Sequence, residues 1–240
     1  MPVAATTKLS EVNFTPNRVS RDQVIALALC PIVLVVLAIL YPVVLMCQGR
    51  PYLFASERMR GPGQAFTLFK IRTMHPTRRE DEESVLGGHQ ARRVTRIGAI
   101  LRRSRLDELP QIFNVLRGDI RFIGPRPPLR RYVDAYPELY SKVLRDTPPG
   151  ITGLATVLLH RREERLLSAC RSPEEADHVY RQRCVPLKAR LDLIYRDNRC
   201  LRLDAWILIR TVTGLRLRTA ERRRPVPFNN AHRECIPAAV

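Results

Sequence analysis

Residues 24–46, VIALALCPIVLVVLAILYPVVLM, carry no charged side chain, and no other feature constrains the chain as strongly. About 20 consecutive apolar residues suffice for a helix to cross the hydrocarbon of a bilayer, so this segment belongs in lipid. A cleaved signal would have a shorter apolar region closed by small residues. A lipoprotein signal would need a small residue before Cys47, where Met46 stands.

Pro31 and Pro42 interrupt the run, and a proline inside a helix removes one backbone donor and clashes with the carbonyl four residues earlier. The basic body after Gln48 belongs on the cytoplasmic side by the positive-inside rule, and the leader, with Lys8, Arg18 and Arg21 against Glu11 and Asp22, is comfortable there too. Two geometries satisfy these facts. One is a re-entrant helix bent near Pro42, which needs the freed carbonyl to be satisfied by protein or water. The other is a single span, straight or mildly kinked.

The 240 residues hold 41 Lys and Arg against 23 Asp and Glu, a formal charge of +18, so the partner surface is anionic: nucleic acid, lipid headgroups or a phosphorylated substrate. Six cysteines (Cys30, Cys47, Cys170, Cys184, Cys200, Cys235) form no C-x-x-C pair and are read as packing residues rather than a zinc site or disulfide framework.

Residues 50–75 alternate around Gly61-Pro62-Gly63, which predicts a hairpin. Residues 76–91, with Pro76, mixed charges and Gly87-Gly88, read as an exposed loop. Residues 92–105 contain Arg92, Arg93, Arg96, Arg102, Arg103 and Arg105 and no acid, with Val94, Ile97, Ile100 and Leu101 at helical spacing. Such a helix has one apolar and one cationic face, and it suits phosphate or headgroup contact.

LDELPQIFNVLRGD then places Leu109, Ile112, Phe113 and Leu116 on one helical stripe, with Gly118 as the stop. Pro110 is tolerated only in a first turn, so the helix is predicted to begin near residues 104–107 with Asp107 and Glu108 at its positive end. Spacing alone leaves two readings of these acids, as caps or as reactive groups. Gly124-Pro125-Arg126-Pro127-Pro128 follows a short strand and presents Arg126 on a stiff backbone, as a phosphate clamp or a plain rigid loop. The 147–153 loop, TPPGITG, is read as chain passing close to a ligand. Residues 173–196 and 201–217 are helical, the first interrupted at Pro186; the second carries Ala205, Leu208, Ile209 and Val212 on one face, for the core or the membrane.

Taken in order, the apolar segment, SERMRGPGQAFTLFKIRTM, RIGAILRRSRLDELPQIFNVLRGDIRFIGPRP, PPGITGLATV and Asp204 with ILIRTV resemble the bacterial sugar transferase family, the monotopic phosphoglycosyl transferases, over residues 21–217. The resemblance implies an α+β, mainly helical fold: a membrane helix (21–48, re-entrant in the family), a catalytic core (49–160) with short strands and interfacial amphipathic helices, and a C-terminal helical part (161–220); composition adds a flexible leader (1–20) and a disordered basic tail (221–240) with Arg222 to Arg224 and three prolines. It implies transfer of a sugar 1-phosphate from a UDP-sugar to polyprenyl (undecaprenyl) phosphate at the cytoplasmic face of the bacterial inner membrane, through a covalent aspartyl-phosphosugar, with release of UMP and with Mg2+ as cofactor. Such a step initiates exopolysaccharide, capsule, O-antigen or glycoprotein glycan assembly.

Matched motif by motif, Asp107 falls on the nucleophile and Glu108 on its acidic partner, both toward the metal. Lys70, Arg72, Arg102 and Arg126 fall on substrate-binding positions, and Pro42 on the helix-breaking proline. Glu108 could ligate the metal or accept a proton. The chain departs from the family at Tyr41, commonly Ser, at Thr156, often Gln, and across residues 160–200, so the sugar does not carry over. Membrane lipids are expected partners and nucleic acid is not. The competing readings are a membrane-tethered basic nucleic-acid-binding protein and a non-catalytic membrane scaffold.

Overall fold

The computed structural model describes residues 19–75 and 93–216. The leader up to residue 18, the loop read at 76–91 with Arg92, and the tail from 217 lie outside the described residues.

Helix α1 (Arg21–Gln48) opens on a capping box, in which the Ser20 hydroxyl accepts from the Gln23 N–H and the Gln23 side chain accepts from the Ser20 N–H. It runs without interruption through Pro31 and Pro42, so the expected break at Pro42 is not a break in the helix. Pro42 removes the donor owed to the carbonyl of Ala38. The Tyr52 hydroxyl donates to the neighbouring carbonyl of Leu37 at 3.3 Å, and the Tyr52 ring packs edge-on against Tyr41.

One stripe of α1 rests on the rest of the chain along its length: Ala26 and Val33 in one core cluster, and Leu37, Leu40 and Val44 in another. Both ends are tied to the same body. Near the start, Gln23 donates to the Leu116 carbonyl at 3.0 Å, and the Asp22 carboxylate accepts from the Phe122 N–H at 3.1 Å. At the other end the Gln48 amide donates to the Arg72 carbonyl, and the Arg72 guanidinium donates to the carbonyls of Gln48 and Gly49. The remaining apolar side chains of α1, among them Leu27 (67% exposed), Ile32 and Ile39, face outward.

The predicted hairpin forms as β1 (Leu53–Gly61) and β2 (Gln64–Ile71), antiparallel, with Phe54 opposite Lys70, Ser56 opposite Leu68 and Arg58 opposite Phe66. Partners directly opposite share a face of the ribbon. That face packs on the core through Leu68, against Ile112, Val115 and Ile120. Helix α2 (Arg96–Ser104) seats Leu101 beside Ile71 and Val44, whereas Ile100, read onto the same apolar face, is 62% exposed. Gly98 is required where α2 meets the strand end, because a Cβ there would stand 2.1 Å from the Thr73 carbonyl oxygen.

A single 3-10 turn (Leu106–Glu108) precedes α3 (Gln111–Arg117), which ends on Gly118 at φ 78° as expected. β3 (Arg121–Ile123) pairs in parallel with β4 (Gly150–Thr152). The glycines of the 147–153 loop permit this pairing: a Cβ on Gly150 would lie 2.2 Å from the Gly124 nitrogen, and one on Gly153 2.1 Å from the Gly124 oxygen. Between these strands lie α4 (Arg130–Ala135) and α5 (Pro137–Leu144).

The C-terminal part comprises α6 (Leu154–Ser168), α7 (Pro173–Val179), a π-helical turn (Tyr180–Cys184), α8 (Val185–Asp197) and α9 (Leu201–Arg216). Helix α9 buries Ile207, with Leu203 and Trp206 alongside, against Ile123 and Tyr195. The face left open between core and membrane is the outer one: Leu208, Ile209 and Val212 are exposed. The described residues are thus mainly helical, with few short strands and one long apolar helix toward the N-terminal end.

Candidate active site

Asp107 and Glu108 sit one turn earlier than the sequence places them relative to the helix. Helix α2 stops at Ser104 because Arg105 adopts a left-handed backbone, φ 58°, a conformation that costs a non-glycine residue about 1 kcal/mol or more. The chain then closes the 3-10 turn, and Pro110, without an N–H, delays the α-helix to Gln111. The predicted placement at the positive end of a helix is therefore corrected: the seven-residue α3 begins beyond both acids, and side-chain cations provide the compensation.

Those cations converge on Glu108. Its Oε1 accepts from Arg126 Nη2 at 2.9 Å and Lys70 Nζ at 3.3 Å, and its Oε2 from Arg105 Nη1 at 3.2 Å. With 8% of the residue exposed, burial would raise its pKa, but Arg126, Lys70 and Arg105 outweigh burial and hold the carboxyl far below the usual carboxylate range. Glu108 is a fixed anion with both oxygens engaged.

Asp107 is equally buried, at 7% exposed, yet no hydrogen bond or ion pair reaches its carboxylate among the described residues. Burial pushes its pKa up, Glu108 adds to the rise, and Lys70, Arg102 and Arg126 act against it. Adjacent acids in one chain segment thus have opposite surroundings. Lys70, on the core-facing side of β2, is pushed down to about 8 by burial and by Arg126, against the pull of Glu108 and Asp107.

Two further lysine or arginine side chains expected in the site have different placements. Arg102 faces Asp107 electrostatically and donates from Nε to Thr73 Oγ1 at 2.8 Å, which fixes its guanidinium. Arg72 is not brought to the acids: it is buried and directed at the carbonyls that end α1. The last carbonyls of a helix lack intrahelical donors, and Arg72, just past the end of β2, supplies them.

Asn114 holds the arrangement together. Its Oδ1 accepts from the Phe69 N–H at 3.1 Å, and its Nδ2 donates to the Thr67 carbonyl at 2.7 Å and to Asp119 Oδ2 at 3.0 Å. Fully buried, it locks α3 to β2 and so sets Lys70 against Glu108. Sequence reasoning assigns Asn114 no role, and it counts Arg105 only among the basic residues. The i,i+3 spacing of Arg105 to Glu108 is the signal that reveals its contact.

A divalent ion tests this donor set. Mg2+ takes hard oxygen ligands, one or two carboxylates with substrate phosphates completing the shell, and the uncommitted Asp107 carboxylate fits that demand. Glu108 could join only by sharing oxygens already held by cations. Among the described residues no three His, Cys, Asp or Glu side chains converge into an all-protein metal cage.

Comparison with known proteins bears on the same stretch. A sequence model of the family described as bacterial sugar transferase matches residues 15–217. A UDP-glucose:undecaprenyl-phosphate glucose-1-phosphate transferase of Caulobacter vibrioides is 37% identical over 170 residues, 69% of this chain and 57% of that protein. The same-named protein of Xanthomonas campestris is 36% identical over 159 residues, 61% of this chain and 33% of its own length. A UDP-N-acetylgalactosamine-undecaprenyl-phosphate N-acetylgalactosaminephosphotransferase of Aeromonas hydrophila is 37% identical over 113 residues, 45% and 26% of the two chains. The chain spans about half the length of the Caulobacter protein and less of the others.

Proposed function

Because the chain belongs to the bacterial sugar transferase family, we propose that it transfers a sugar 1-phosphate from a UDP-sugar to undecaprenyl phosphate, the first step of a polysaccharide assembly sequence. The carrying observation is the contrast between the two acids. Glu108 is neutralised on both oxygens, while Asp107 is buried, unpartnered and surrounded by cations.

In this reading an Asp107 oxygen attacks the phosphorus that bears the sugar. An O–P bond forms, the bond from that phosphorus to the bridging oxygen breaks, and UMP departs with the electron pair. The acceptor phosphate oxygen then attacks the same phosphorus and Asp107 leaves as carboxylate, so one transfer becomes two. Anion attack on a diphosphate is opposed electrostatically, and Lys70, Arg102 and Arg126 offset that repulsion from fixed positions. Glu108 acts chiefly as the anchor that holds Lys70, Arg105 and Arg126 in place. Mg2+, held by Asp107 and by Glu108 if it releases a cation, would add charge neutralisation at the diphosphate.

The second substrate dictates the setting. A polyprenyl tail stays in lipid, so the acceptor headgroup must be met at the bilayer surface. Helix α1 supports a monotopic arrangement: its outward face is apolar, while its inner stripe and both ends are held by one body. A straight span would carry the ends to opposite faces of the membrane, so we favour the re-entrant geometry, with the catalytic body and both ends at the cytoplasmic face. The exposed Leu208, Ile209 and Val212 of α9 suit contact with lipid.

The test is UMP release from UDP-glucose and UDP-N-acetylgalactosamine in the presence of undecaprenyl phosphate, Mg2+ and membranes, with wild type and Asp107→Ala. Donor-dependent UMP that vanishes in the variant supports the reading. Full turnover by Asp107→Ala, or no UMP from any UDP-sugar in a wider panel, removes it.

A further inference from the structure

Arg58 presents a cation that the chain itself leaves without a counter-charge. On β1 it lies opposite Phe66, and Phe54, four residues earlier, lies opposite Lys70, so Arg58 and Lys70 share the face of the hairpin that turns toward the acids. Its Nε is sealed from solvent without a hydrogen-bond partner, and among the described residues no acid pairs with its guanidinium. The Ser56 hydroxyl, two residues earlier on the same face, is likewise buried without a partner.

The groups facing Arg58 are Arg126, Arg131, Tyr132 and Tyr180. Arg131 answers to Asp177, at 3.5 Å, and Tyr132 is held in its neutral form by burial. Among the described residues no carboxylate is therefore left to pair with Arg58. Burial and Arg126 lower the Arg58 pKa only to about 10, so it stays charged at neutral pH. The Met59 N–H donates to the Pro128 carbonyl at 3.0 Å, which docks this part of β1 onto the loop that carries Arg126. A half-buried cation beside other cations, its Nε sealed, is unfavourable unless an anion arrives.

We propose that Arg58 is a binding residue for the diphosphate of the nucleotide donor, forming with Arg126 and the Ser56 hydroxyl an anion seat that extends the Glu108 centre away from the lipid. The seat rests on the transferase reading for its ligand. Its placement favours the donor over the lipid-borne phosphate: Tyr52 touches α1, and Arg58 lies six residues farther along the strand, roughly 20 Å at the rise of extended chain.

The experiment uses the full chain in nanodiscs, with Arg58→Met and Arg58→Lys, and reads thermal unfolding and calorimetric binding with UDP, inorganic pyrophosphate and a short-chain polyprenyl phosphate as probes. Without anion, Arg58→Met should melt no lower than wild type, since an uncompensated half-buried charge has been removed. UDP and pyrophosphate should raise the wild-type melting temperature and barely move that of Arg58→Met. UDP affinity should fall about 10- to 100-fold, the range expected for a charged hydrogen bond, with partial recovery in Arg58→Lys and little change for the polyprenyl phosphate.

An Arg58→Met variant that melts lower than wild type and keeps wild-type UDP affinity would show a structural arginine and overturn the proposal. Loss confined to the polyprenyl phosphate would overturn the assignment to the donor. The two readings separate cleanly: Arg58-dependent UDP binding without UMP release sinks the transferase and keeps the seat, and turnover with unchanged donor KM in Arg58→Met does the reverse.

Discussion

Lys70 and Lys188 are both half-buried lysines beside two acids, and their surroundings drive them in opposite directions. Lys70 shares its acids with Arg102, Arg105 and Arg126, and burial together with the repulsion of Arg126 and Arg58 brings its pKa down to about 8. Lys188, on α8, donates to Glu163 at 2.8 Å and to the Tyr180 hydroxyl at 3.2 Å; burial opposes its charge, but Tyr180 and Glu163 outweigh burial and raise its pKa. Asp192 faces this lysine, and burial pushes its pKa to about 7 against the pull of Lys188. The first cluster has cations in excess and needs an anion from outside. The second is satisfied from within and holds α6, the π turn and α8 together. Residue types alone do not distinguish a reactive centre from a structural one; the local balance of charge does.

The sharpest separation comes from paired substitutions. Asp107→Asn should lower turnover by about a thousand-fold or more, as loss of a nucleophile does, while leaving the melting temperature unchanged or higher because a buried unpartnered charge is gone. Lys188→Met should do the opposite, retaining turnover and lowering the melting temperature by several degrees, since Glu163 is left without its partner. If Lys188→Met abolished turnover at unchanged stability, the two clusters could not be told apart as drawn here.

Asn114→Ala tests the lock between α3 and the hairpin. It leaves the Thr67 carbonyl and the Phe69 N–H unsatisfied in the core, a loss of about 2–3 kcal/mol, with turnover falling as Lys70 loses its register to Glu108. Denaturant unfolding and UMP release on the same preparation read both effects.

The smallest effect concerns pH. Asp192 has a folded pKa, about 7, above its unfolded value, so the folded state binds the extra proton: its contribution is fully present below the unfolded pKa, near 4, and is lost as pH rises through about 7. Asp192→Asn should therefore melt a few degrees above wild type at pH 8 and no higher at pH 4. Melting curves at the two pH values check the sign.

The sequence makes some of this legible. The bounds of α1 follow from composition, since nothing charged lies between Asp22 and Arg50. The hairpin follows from Gly61-Pro62-Gly63, and Gly118 stops α3 where its left-handed freedom is needed. The acids are a different case: spacing leaves them as caps or reactive groups, and only the ordered motifs around them single them out. Arg72 resists local reading because the strand ends at Ile71 and the nearest unmet need is the carbonyl end of α1, 23 and 24 residues back in the chain rather than one turn away. Arg58 and Asn114 depend on strand register and on how α3 docks, neither of which is written in local periodicity. The outer face of α9 stays open between core and membrane for a related reason, since either side of that helix is apolar enough to pack and the position of Tyr195 and Ile123 decides between them.

The central claim is that Asp107, the unpartnered acid, is the group that carries the phosphosugar. Incubating the full chain with a UDP-sugar labelled in the sugar-bearing phosphate, without acceptor, and locating the label by peptide mass spectrometry tests it directly. The account predicts a labelled adduct on Asp107 that disappears when undecaprenyl phosphate is added and is absent from Asp107→Asn. Turnover with no trapped adduct, or label on Glu108 instead, would contradict it.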